Sequence, residues 1–505
     1  MAQTRFQKVL ILSSSGGLAT LSGLVINMFL ARYFAAEEFG TYRQALLVQN
    51  TVMVFILLGL PQALYYYVPR GERPIRQLIS ENVLLLALAG LAFPAFLLAG
   101  GFDWLVHDWA DNPALGMPLL WLAALPLFAA PVRALTPCLM SLDRASTVGA
   151  FNLGLRVASV AMALAAVLWL GTVTAAVGAL VVAAALGLPV GLWLMYRAAP
   201  PGPWMPTRAG VRQQLGFGIP LGVELMLGTL QVYAGNYAVA QLHGPAAFAL
   251  YANGAVQIPF IGLITGSILS VILPELTTHL KNERPDQALA LWRTAMTKSA
   301  MFLVPIMFYL LVLAEDTMTV VWSERYVESA LIFQVFLLML PIRGASFGSL
   351  YIAGDRRGLI LIKTFASLVV TLALVIPLAV HYGPVGAAAG TVITIYVFTV
   401  PLNAVLLGRI LGVSALSILP LRELLRIMLP AGLAALPLVG FMTVVERHGP
   451  DLLAGDGLGP VLRLGLGAAI YGAGLFVGYR VAGIRDPEDR VRGLLSSVLA
   501  RLRPG

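Results

Sequence analysis

Apolar runs of about twenty residues recur along nearly the whole chain, and this spacing limits the possible folds more than any motif does. A hydrocarbon core about 30 Å thick is crossed by about 20 residues of helix. Inside that core a helix satisfies its own backbone groups without water. With this ruler, candidate spans fall near residues 8–31, 44–68, 79–100, 116–140, 147–170, 173–196, 214–241, 247–273, 296–314, 329–353, 358–380, 384–408, 422–444 and 459–479. Composition agrees, since 59% of the 505 residues are hydrophobic and 11% are charged, against about a quarter charged in a soluble domain. The expected fold is an all-α integral membrane protein of about 14 transmembrane helices.

The formal net charge of +9 does not point to nucleic acid. The basic residues recur in short clusters between apolar runs, which is the pattern of cytoplasmic loops. With a cytoplasmic N-terminus, 24 of the 33 Lys and Arg residues fall inside and 5 outside, with four more within spans. This reading makes both termini cytoplasmic. Cys138 is the single cysteine, so neither an intrachain disulfide nor paired cysteine metal ligands are available. The first run lacks a small-residue cleavage site and reads as an uncleaved helix. Beyond the last span, Asp486 can cap a helix that begins at Pro487. Val491, Leu494, Leu495, Val498 and Leu502 give that helix one apolar stripe, suited to a membrane surface.

A self-match at about 210 residues organises the chain. Asn27, Phe39, Tyr42 and Gln44 fall on Asn236, Phe248, Tyr251 and Asn253 at a constant spacing of 209. Glu72-Arg73-Pro74 falls on Glu283-Arg284-Pro285, Pro131-x-Arg133 on Pro341-x-Arg343, Asp143-Arg144 on Asp355-Arg356, and Gly171 on Gly383. Both copies begin on the same side of the membrane, so the repeat is parallel, an arrangement that transporters use to rock around a midplane site. The expected organisation is an N-lobe of six spans over 1–200, a C-lobe of six over 201–415, two extra spans over 416–480, and an amphipathic tail over 481–505.

The segment Leu30-Ala31-Arg32-Tyr33-Phe34-Ala35-Ala36-Glu37-Glu38-Phe39-Gly40-Thr41-Tyr42 resembles the first outer loop of bacterial polysaccharide and O-antigen flippases, with its E-x-F-G-x-Y pattern. Leu58-Gly59-Leu60-Pro61 in the second span fits the same family. The resemblance implies the multidrug/oligosaccharidyl-lipid/polysaccharide exporter fold in a bacterial inner membrane. It implies a cargo of polyprenyl-diphosphate-linked oligosaccharide, moved from the cytoplasmic to the periplasmic leaflet. Membrane lipids and other membrane proteins of polysaccharide assembly are the partners it implies. In that fold spans 1, 2, 7 and 8 border a central cavity, and Asn27, Gln44, Asn236 and Asn253 lie on those spans.

Ionisable residues inside spans each cost about 2.5–3.5 kcal/mol at a helix centre and need a reason to be there. Glu81 and Lys363 lie close enough to a cytoplasmic end to snorkel. Arg133, Arg156 and Arg343 lie deeper and suit the diphosphate of a lipid carrier, because the guanidinium fork matches phosphate oxygens. Glu224 suits a coupling proton. The competing reading is an Arg156–Glu224 ion pair that fastens the two lobes.

Other activities fit less well. Gly465-x-Gly467 sits within an apolar span and reads as helix packing. No phosphate-binding loop occurs in a cytoplasmic segment, and neither a cofactor nor a metal site is expected. A membrane glycosyltransferase or a polysaccharide polymerase would need acidic residues spread over a long outer loop. Here Glu37 and Glu38 are adjacent and every outer loop is short. A cation-coupled drug exporter of the same fold would carry an acid in the first span, which has none. A peptidoglycan-precursor flippase obeys the same physics and remains an alternative.

Overall fold

A computed structural model describes residues 17, 21–256, 258–353, 357–448 and 459–482. These residues are helical almost throughout. Eight helices are long and apolar enough to cross a membrane, and eleven if three bent pairs each count as one span. Arg356 and the tail from Asp486 onward lie outside the described residues.

In chain order the elements that matter are α1 (Leu21–Tyr33), α2 (Ala36–Leu57), α3 (Leu60–Tyr67), α4 (Ile75–Gly101), α5 (Leu125–Val132), α6 (Leu135–Ser141), α7 (Ala145–Leu170), α8 (Arg208–Leu242) and α9 (Gly244–Gly254). They continue with α10 (Pro285–Val312), α11 (Ser329–Leu337), α12 (Leu340–Arg343), α13 (Arg357–Ile393), α14 (Leu421–His448) and α15 (Gly459–Val481). Contacts divide the chain into two compact units, Met1–Leu263 with Arg356–Val400, and Ile264–Asp355 with Pro401–Gly505. This division does not follow sequence boundaries near 200 and 415. Helices α8, α9 and α13 pack into the unit that holds α1 to α7.

The bends sit where the sequence weakens the helix. Between α2 and α3 the chain turns by 45° as Leu58 and Gly59 adopt φ of 45° and 66°. A Cβ on Gly59 would lie 2.6 Å from the carbonyl oxygen of Gly218, and one on Gly218 would lie 2.9 Å from that of Leu58. In a bilayer, apolar burial does not draw helices together, so close backbone approach through small residues does the joining. The Leu58–Gly59 kink therefore seats on the Gly218/Gly222 face of α8.

Two bends are related by the repeat. Pro113–Leu122 meets Leu125–Ser141 at 48°, and Ser329–Leu337 meets Leu340–Ala353 at 47°. Proline removes a donor and crowds the preceding turn; Pro126 and Pro341 each stand in the first turn of the short helix after the bend, α5 and α12, and Arg133 and Arg343 stand at its end. The matched Gly171 and Gly383 both have φ of 64°, a left-handed conformation that glycine adopts without a side-chain clash.

In the second unit Arg463 of α15 reaches Asp316, donating from Nε at 2.9 Å and from Nη2 at 2.6 Å to one carboxylate oxygen. Tyr309 of α10 donates to the carbonyl of Leu464 at 2.8 Å, and Tyr471 to that of Ala431 at 3.1 Å. Together they fix α15 against α10 and α14.

Candidate functional site

Arg133 is the last turn of a proline-shortened helix, and its side chain is exposed. Among the described residues its guanidinium has no hydrogen bond or ion pair. Arg343, its repeat mate in the second unit, has the same local setting: exposed, at the end of α12, and likewise without a side-chain partner among the described residues. An unpaired cation on a membrane-spanning helix is tolerated where it meets water in a recess or an anionic ligand.

Arg156 on α7 is half-buried, and its side chain reaches α1. Its Nε donates to Ser22 Oγ at 3.3 Å, and its Nη2 occupies the space that a Cβ on Gly23 would take. Its charge also acts on Tyr42 of α2. The alternative of an Arg156–Glu224 pair is corrected here: no ion pair joins them among the described residues. Glu224 of α8 instead acts electrostatically on Lys363 of α13, across the extensive α8–α13 packing.

The four matched amides divide into two kinds. Asn27 and Asn236 are half-buried, and Asn27 Nδ2 donates to the carbonyl of Gly23 at 2.7 Å while its Oδ1 has no partner among the described residues. Gln44 and Asn253 are 0% exposed. Gln44 Nε2 donates to the carbonyl of Ala240 at 3.3 Å, and its Oε1 accepts from Asn112 Nδ2 at 2.7 Å. Both residues are enclosed where α2 packs on α8 and α9. Gln44 fastens helices; the Asn253 amide has no hydrogen-bond partner among the described residues.

Glu81 also departs from its expected role. It is 0% exposed and does not snorkel. Arg73 grips it with Nη1 and Nη2 at 2.9 and 2.6 Å. Thr207 donates to it from its backbone N at 3.1 Å and its hydroxyl at 2.9 Å, and Gln214 Nε2 donates at 3.2 Å. Asn82 Nδ2 then joins Gln214 Oε1 at 2.7 Å to the carbonyl of Leu60 at 2.8 Å. Thr207 caps α8 by accepting from Gly210 N, so this network binds the start of α8 to α4 and α3.

At the other end of α2 an apolar cavity of about 550 Å³ opens between α2, α4 and α8. Phe55, Phe93, Phe96, Trp104 and Trp109 line it, and the Thr51–Tyr237 hydroxyl pair at 2.7 Å is its polar spot.

These broken, apolar spans are those of a multi-pass membrane protein. Over 93% of its length the chain superposes on 99% of a structure described as "Lipid II flippase MurJ, inward closed conformation", at TM-score 0.70 and 14% identity. A mutant of the Vibrio cholerae MATE transporter VcmN covers 80% of this chain and 97% of its own at TM-score 0.57 and 14% identity. A Pyrococcus furiosus MOP-superfamily transporter, described as having a binding pocket of reverse polarity, covers 80% and 96% at 0.58 and 13%. The fold is that of the MOP superfamily. No curated protein matches the sequence at a significant level. The family described as "Polysaccharide biosynthesis protein" matches residues 6–279, more than half of the chain, and the chain belongs to it.

Proposed function

We propose that this protein is a flippase that carries a polyprenyl-diphosphate-linked glycan from the cytoplasmic to the periplasmic leaflet by alternating access. The observation that carries the reading is the pair Arg133 and Arg343. They match in sequence, follow bends of 48° and 47°, and present guanidinium forks that have no hydrogen-bond or ion-pair partner among the described residues. A diphosphate supplies the oxygens such forks fit. Arg156, steadied by Ser22, is the third cation of this set, and Asn27 and Asn236 supply neutral polar groups. Glu224 is the proposed coupling-ion residue, with Lys363 as its neighbour. The aromatic cavity beside α2 suits a stretch of the prenyl chain.

Two cargoes share this chemistry. The fold favours a peptidoglycan precursor, because the likeness to the Lipid II flippase spans nearly both chains. The family description favours a surface-polysaccharide unit. A cation-coupled drug exporter has less support, since the MATE structures cover about 80% of the chain.

The same reading makes the membrane domain fourteen spans in two six-helix lobes. The eleven clear spans are joined by α1, by Pro259–Lys281, and by division of the 54-residue helix Gly358–Leu411 at Gly383. Both termini are then cytoplasmic.

The test is flipping in proteoliposomes with two fluorescent cargoes, a peptidoglycan precursor and a polysaccharide repeat unit on the same diphosphate carrier. One cargo is expected to lose protection from an external quencher, and Arg133→Gln with Arg343→Gln should slow that by at least tenfold at equal protein content. Unchanged flipping in the double variant would refute the diphosphate role.

A further inference from the structure

In the second unit a recess of about 470 Å³ opens where residues 293–301 of α10 meet the segment that leads into α14. Arg293, Lys298 and Arg422 stand on its wall against one carboxylate, Glu423. Among the described residues none of these three cations is held in an ion pair. Arg293 Nε donates to the carbonyl of Ile418 at 3.3 Å, which fixes the guanidinium on the wall. The N-terminal turn of α14 adds the positive end of a helix dipole.

The rim of the recess has a different character. Leu416 is 82% exposed, and Leu421, Leu425 and Leu429 form an exposed file along α14 at helical spacing of four. Such a file faces lipid, so the cations stand where oil gives way to water. The positive-inside reading puts this boundary on the cytoplasmic leaflet, where basic recesses between spans hold lipid headgroups. A soluble anion would need the cations and leave the leucines idle.

We propose that this recess binds the headgroup of an anionic phospholipid, with the acyl chains lying along the exposed leucines of α14. Lys298 and Arg422 draw the phosphate in, and Arg293 anchors it. The site is separate from the cargo residues proposed above and does not depend on them.

The full chain, purified and titrated with phosphatidylglycerol under native mass spectrometry, tests this. Lys298→Gln with Arg422→Gln removes two exposed cations without touching a hydrogen bond of the fold, and phosphatidylglycerol affinity should fall about tenfold. Leu416→Glu, which puts a carboxylate at the rim, should produce a similar loss. Arg208→Gln with Arg212→Gln, elsewhere on the basic surface, should stay within twofold, and phosphatidylcholine should bind weakly throughout. The proposal is overturned if the recess variants bind phosphatidylglycerol as the parent does, or if the control loses as much, which would mean diffuse attraction. It is also overturned if farnesyl diphosphate outcompetes phosphatidylglycerol at the same residues, which would make the recess a prenyl-diphosphate site.

Discussion

Replacing Glu81 by glutamine isolates the network that holds the start of α8. The native carboxylate accepts five hydrogen bonds, two from Arg73, two from Thr207 and one from Gln214, and is 0% exposed. The amide keeps the shape, loses the charge, and turns one acceptor into a donor facing donors. Removing one partner of a buried pair costs about 3–5 kcal/mol. The Arg73 side chain is 19% exposed and regains some water, so the lower end, about 3 kcal/mol, is expected. Reversible unfolding in detergent micelles measures it. Pairing Glu81→Gln with Arg73→Met should return at least 1 kcal/mol, since the stranded cation is then gone. A Glu81→Gln variant within 1 kcal/mol of the parent, or strict additivity in the double variant, would refute the reasoning.

Two further outcomes rest on single contacts. Gly222→Ala places a Cβ 2.6 Å from the Cα of Leu58, while Gly228→Ala on the same helix meets nothing within 4 Å. The first should destabilise by about 2 kcal/mol and the second should be neutral or mildly stabilising through helix propensity, both read by the same unfolding assay. Lys363→Met and Glu224→Gln should each destabilise, and the double variant should show a coupling of about 1 kcal/mol, whereas Arg156→Gln with Glu224→Gln should be additive.

Much of the helical framework could be read from the order of apolar runs, because a bilayer forces backbone groups to pair within a helix. Matching local geometry was legible at the matched positions, in the bends of 48° and 47° that precede Arg133 and Arg343 and in the shared φ of Gly171 and Gly383. Side-chain partners were not. Hydropathy assigns a depth, and depth alone made Glu81 look like a snorkelling acid. Its partners come from Arg73 and from Thr207, 126 residues away, and nothing in periodicity brings them together. Gln44 shows the same limit, because a polar residue on such a helix can equally face its neighbour. One missed signal was available: Gly218-x-x-x-Gly222 is a small-residue pair that marks a close helix contact.

Arg133, without a side-chain partner among the described residues, also bears on biogenesis. An inserting helix is penalised about 2.5–3.5 kcal/mol for a central arginine and regains about half a kcal/mol from each leucine. The stretch that holds Arg133 is dense with such residues, among them Leu119, Leu120, Leu122, Leu125 and Leu127, enough to offset the cation roughly. Leu120 is 53% exposed, yet it cannot drift freely, since losing it tips the stretch toward staying in the translocon. The charge thereby sets a minimum oiliness for its own helix, and residues far from any ligand inherit that constraint.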